Sequence, residues 1–80
     1  MEKRVIFELV NKLEMRYGNM NSVPHDDKDF VRLRYGIIEN ERDDLDKQEK
    51  INFLVQELKR EGGISIKNGK ALIRYVLHNS

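Results

Sequence analysis

The stretch Gly63-Ile64-Ser65-Ile66-Lys67-Asn68-Gly69-Lys70-Ala71-Leu72-Ile73-Arg74-Tyr75-Val76-Leu77 decides how the rest of the chain is read. Asn68-Gly69 at its middle is a two-residue turn signal, because a type I′ turn needs positive φ at both central positions and these residues accept it cheaply. A two-residue loop there pairs Lys67 with Lys70, Ile66 with Ala71, Ser65 with Leu72 and Ile64 with Ile73. That register gathers Ile64, Ile66, Ala71, Ile73 and Tyr75 on one face, as a sheet packed on helices requires. A final helix capped by Asn68, with Lys70, Arg74 and His78 along one polar edge, is the alternative. The hairpin is the expectation carried forward.

Two amphipathic helices flank this choice. Ile6, Leu9, Val10, Leu13 and Tyr17 recur at three- and four-residue spacings and stop at Gly18, a natural left-handed terminator. Ile51, Leu54, Val55 and Leu58 form the stripe of a second helix over about residues 45–61, with Asp43 or Asp44 as cap and Asp46 and Glu49 near the positive end of its dipole. Lys59 and Arg60 occupy its last turn and Gly62 ends it. Between them, residues 18–28 read as a loop around Pro24.

Residues 29–38 satisfy two periods at once. As a strand, Val31, Leu33, Tyr35 and Ile37 share an apolar face with Arg32 and Arg34 opposite; as a helix capped by Asp26 or Asp27, Phe30, Leu33 and Ile37 align. Alternation, β-prone residues and the mid-segment Gly36 favour the strand. The expected fold is therefore α+β in the order helix, strand, helix, strand, strand, with two helices on a small antiparallel sheet; a mostly α chain with a C-terminal helix is the alternative. Its expected core is Ile6, Leu9, Val10, Leu13, Val31, Leu33, Ile37, Ile51, Leu54, Val55, Leu58, Ile64, Ile66 and Ile73.

Length and composition narrow the function classes. Eighty residues make one domain, residues 1–80, with no linker or repeat. There is no cysteine, hence no disulfide and no thiolate metal site, which fits a reducing compartment. The apolar N-terminal stretch is broken by Glu8, Asn11 and Lys12, so it makes no signal peptide; with no apolar window long enough for a bilayer, a cytoplasmic location and no membrane partner are expected. Fifteen basic and fourteen acidic residues leave a net charge of +1, so any electrostatic footprint must come from how charges are distributed.

Catalytic and metal patterns fail on inspection. His25, Asp26, Asp27 and Asp29 cluster, but they match neither zinc-ligand spacing nor an EF-hand, and His78 is remote; no metal or cofactor is expected. Gly63, Gly69 and Lys70 miss the P-loop spacing, and Ala71 stands where a hydroxyl residue is needed. Ser22, Ser65 and Ser80 lie in no nucleophile elbow. A non-enzymatic regulatory binding protein is the expectation.

The basic residues nominate a surface. In the strand and hairpin reading, Arg32 and Arg34 share a solvent face, and Lys67, Asn68, Lys70 and Arg74 decorate the hairpin's outer side beside Lys59 and Arg60. Such groups suit phosphate contact and guanine readout, so these six hairpin and strand residues are the candidate nucleic-acid site. The order helix, Gly-Gly, short strand, Asn-Gly turn, strand across residues 44–77 resembles the recognition helix and wing of winged-helix DNA-binding domains. The resemblance implies that Lys47, Gln48 and Asn52 enter the major groove and that Lys67, Asn68 and Lys70 touch the backbone. The alternative partner is a protein or a second copy of the chain. It would meet the acidic run of residues 39–49 or an apolar patch of Phe7, Phe53, Leu72 and Val76.

Overall fold

A computed structural model describes residues 1–79, and among them the fold is all-helical with no strand. The helices are α1 (Lys3–Tyr17), α2 (Lys28–Glu41), α3 (Lys47–Gly62) and α4 (Ile66–His78), with a single 3-10 turn at Met20–Ser22. The expected sheet is absent from them, and with it go both the strand at 29–38 and the hairpin at 63–77. The mostly helical alternative describes the architecture.

Residues 63–77 fold as a helix because a cap and an apolar stripe agree there. Ser65, not Asn68, is the N-cap: its hydroxyl accepts the Asn68 N–H at 3.1 Å, and the Gly69 N–H donates to the Ser65 carbonyl at 2.8 Å. Asn68 and Gly69 sit in the first turns, and the positive φ that a type I′ turn demands occurs only at Gly18 and Gly63 among the described residues. Gly69, Ile73 and Val76 then share one buried stripe, joined by the half-buried Leu72 and Leu77. An isolated two-stranded hairpin is marginal without a third strand, and residues 29–38 supply none.

That middle segment is helical because it is central. Among the described residues α2 packs against α1, α3 and α4, whereas α1 packs only on α2 and the turn. Phe30, Val31, Leu33, Tyr35, Gly36 and Ile38 are all buried, which covers most of the helix circumference. A helix apolar on nearly every side has no single stripe, so its residues also satisfy a period of two. Asp27 fixes its start by accepting the backbone N–H groups of Asp29 and Phe30 at 2.8 and 3.2 Å. At its far end Met1 folds onto Gly36, where a side chain would collide with the Met1 sulfur, and the Met1 ammonium donates to Glu39 at 2.8 Å and Asn40 at 2.9 Å.

α3 opens with a reciprocal capping box: the Asp46 carboxylate accepts the Glu49 N–H at 2.8 Å, and the Asp46 N–H donates to the Glu49 side chain at 3.0 Å. It ends at Gly63, whose left-handed φ of 69° turns the chain into α4. α4 runs back along α3 as a helical hairpin: Gly69 faces Val55, and Lys47 and Ile51 at the start of α3 flank Arg74, Leu77 and His78 at the end of α4. The core holds Leu9, Leu13, Leu54, Val55 and Leu58 as the helical periodicity indicates, and Val31, Leu33 and Ile73 as expected but from helices in place of strands. It adds Val23, Phe30, Tyr35, Ile38 and Val76, while Ile66, expected inside, is exposed.

Candidate functional site

The helical fold divides the six nominated residues into two groups. Arg32 and Arg34 lie on α2 and are committed to internal ion pairs. Arg32 bonds Asp29 at 2.8 Å one turn earlier, and Arg34 bridges to α3 through Glu61 at 3.0 Å and Glu57. Burial works against the Arg34 charge, but Glu61 and Glu57 outweigh it and hold the guanidinium charged. Neither arginine shares a solvent strand face, and each already has a carboxylate as its counter-charge. Arg16 is committed likewise, to Asp27 at 2.8 Å and Asp29 at 2.9 Å, and Arg42 to Asp44 at 3.0 Å.

Lys67, Asn68, Lys70 and Arg74 all fall on α4, not on a wing. Residues 67, 70, 74 and 78 recur at spacings of three and four, so Lys67, Lys70, Arg74 and His78 form one stripe on successive turns. Ala71 lies within that stripe and is exposed, whereas Asn68 stands to one side of it. At the C-terminal end Lys47 joins Arg74 and His78 around a shallow groove floored by Ile51 and Leu77. Among the described residues, no carboxylate comes within ion-pair distance of Lys47, Lys67, Lys70 or Arg74. For Lys67, Lys70 and Arg74 the chain offers no acid on their own helix, since no Asp or Glu follows Glu61. Sequence reasoning found these cations but placed them on a ribbon, and it did not weigh the absence of acid beyond Glu61.

This charge pattern opposes helix stability. The N-terminus of a helix carries partial positive charge and favours acids, each by about 0.3–1 kcal/mol. α4 has no acid in its first turn and places Lys67 there instead, with Lys70 one turn further on. Like charges a turn apart cost a further ~0.2–0.5 kcal/mol per pair. Lys67 is therefore the cation of α4 that stands at the unfavourable pole of the helix, with Lys70 repelling it from the next turn.

The other nominated features have structural roles. Of the acidic run, Glu39 holds the Met1 ammonium, Asp44 holds Arg42, and Asp46 and Glu49 form the capping box. His25 packs edge-on against Phe30 with ring centroids 5.0 Å apart, while Asp27 and Asp29 receive Arg16. The apolar patch does not assemble: Val76 is buried and Leu72 half-buried in the core, Phe7 lies on α1, and Phe53 lies on α3 with the Arg42 guanidinium 5.5 Å from its ring centroid. Lys47, Gln48 and Asn52 do lie on α3, but Gln48 and Asn52 bond each other at 3.2 Å and no wing follows them. Among the described residues, no helix is long and apolar enough to cross a membrane.

The chain matches no family model, no curated protein and no solved structure, so the site is read from its own residues.

Proposed function

We propose that the protein is a small, non-enzymatic regulatory binding protein that holds nucleic acid on the outward face of α4. The observation that carries this reading is the run Lys67, Lys70, Arg74 and His78 on successive turns, without carboxylate partners among the described residues, and with Lys67 at the wrong pole of the helix for stability. Charges that cost folding energy and have no internal partner are where a sequence departs from its own local rules, as binding sites do. Phosphate oxygens would supply the missing counter-charge.

Fluorescence anisotropy with labelled random-sequence nucleic acid tests it. Three or so phosphate contacts predict an affinity drop of roughly fifty-fold between about 50 and about 200 mM salt. The triple variant Lys67→Gln, Lys70→Gln, Arg74→Gln should abolish most of the binding and the salt slope with it. No binding at low salt, or binding unchanged in the triple variant, would overturn the proposal.

A protein partner is the second reading, favoured by α1. Phe7 is 69% and Met15 89% exposed there, on a helix that packs against α2 and the adjoining turn alone. Light scattering across a concentration series checks for self-association. A strict monomer that Phe7→Ser and Met15→Ser leave unchanged would remove the case for a homodimer.

A further inference from the structure

We infer that the nucleic acid taken by the α4 face is double-stranded DNA, with α4 set against the major groove. This rests on the reading of α4 as a nucleic-acid-binding face and adds which polymer and which groove it fits.

Three features of the helix carry the inference. The first is rigidity and reach. Lys67 and Arg74 lie on one uninterrupted helix, so the cationic stripe is straight and spans about 10 Å at the rise of an α-helix. A major groove about 12 Å wide admits a helix, and its phosphates border the helix on both sides. The major groove of an A-form RNA duplex is too deep and narrow to do so.

The second is the shape of the face. Ala71 is exposed between the levels of Lys67 and Arg74 and puts only a methyl group along the edge of the stripe. A small residue there lets the helix axis approach the base edges while the longer side chains reach outward to the backbones. Arg74, one turn further on, carries the planar fork that reads guanine in this groove.

The third is the disposition of aromatic rings. Single strands are held by bases stacking on exposed rings beside a cationic track. The Tyr75 ring next to this stripe is half-exposed, and the Lys28 ammonium lies over one of its faces, 4.4 Å from its centroid. Phe53 lies under Arg42 on α3, and Phe7 is on α1, which among the described residues does not pack against α4. Among the described residues the stripe itself offers one ring, the imidazole of His78 at the helix end.

The test compares three labelled probes of matched length and random sequence at one low salt concentration: a DNA duplex, an RNA duplex and single-stranded DNA. The DNA duplex is expected to bind about tenfold more tightly than either competitor. Equal or tighter binding of the single strand or the RNA duplex would overturn this inference and leave the nucleic-acid reading intact; binding of none of them would end both. The variant Ala71→Leu adds bulk without charge at an exposed helical position. It should keep its helical circular dichroism and thermal midpoint, and weaken the DNA duplex at least fivefold. Unchanged duplex affinity in that variant would overturn placement of α4 in the groove.

Discussion

Gly62, the last residue of α3, lies directly against His25 of the loop before α2: a Cβ on the glycine would stand 2.5 Å from the histidine Cβ and 2.7 Å from its Cγ. A Cβ is fixed to the backbone, so no rotamer change relieves that overlap, and the loop must move. The loop is itself anchored, because the His25 ring packs on Phe30. Gly62→Ala should therefore destabilise the protein by about 1–2 kcal/mol, the overpacking cost exceeding what alanine gains in helix propensity. Urea denaturation checks it; a midpoint that stays level or rises would mean that the loop yields freely.

Gly69 predicts the opposite sign. A Cβ there would meet Val55 at 3.7 Å and Ile64 at 3.8 Å, which is ordinary contact, and the residue is helical with no positive φ. Gly69→Ala should stabilise by about 0.5–1 kcal/mol through helix propensity. In a type I′ hairpin the same change would force alanine into positive φ and destabilise, so the sign of the shift in thermal midpoint discriminates helix from ribbon.

Asp27 sets the acid limb of stability. Burial pushes its carboxyl upward, but hydrogen bonds from the Tyr17 hydroxyl, the Phe30 and Asp29 backbone N–H groups and the Arg16 guanidinium prevail and hold it below the ordinary carboxylate value. A carboxyl depressed on folding contributes stability that is present above its unfolded value and is lost as pH falls through the folded one. Stability should thus be level above about pH 5 and decline below about pH 4. Asp27→Asn keeps a capping oxygen but loses the charge. It should lower stability at neutral pH and flatten the acid decline, as read from denaturation midpoints across pH. An acid limb as steep as in the parent protein would assign it to other carboxyls, such as Asp44 and Glu61, which are also depressed.

Arg34 ties α2 to α3 and should matter for folding but not for binding. Its partner Glu57 is only 17% exposed, so removing the arginine leaves a carboxylate half-desolvated. Arg34→Met should cost about 1–3 kcal/mol, and combining it with Glu57→Gln should recover part of that loss. Nucleic-acid affinity at a temperature where the variant is folded should equal that of the parent. A large loss of affinity would restore Arg34 to the binding face.

The two flanking helices were legible because each has a single apolar stripe and a glycine stop. Leu9, Leu13, Leu54, Val55 and Leu58 are buried where the three- and four-residue spacing puts them. α2 was not legible for the same physical reason inverted. Packed by α1, α3 and α4, it buries Phe30, Val31, Leu33, Tyr35 and Ile38 on different sides, and no window of sequence states how many neighbours a helix will have. The Asn68-Gly69 signal was strong locally and lost to Ser65, whose cap starts a helix three residues earlier and brings Ile73 and Val76 to the core. The cations of the candidate site are visible in the sequence as residue types, but the commitment of Arg34 to Glu57 and Glu61 depends on distances across helices.

The chain alone determined its local segments: two striped helices, their glycine ends, a cysteine-free composition and an acid-free stretch after Glu61. These follow from short-range periodicity, backbone propensity and charge, which are properties of neighbours along the sequence. Tertiary structure decided that residues 28–41 and 66–78 are helices and which arginines are already neutralised. It did so because burial around α2, the approach of Gly69 to Val55 and the bridge from Arg34 to α3 are free energies of residues far apart in the chain, realised only once the helices meet.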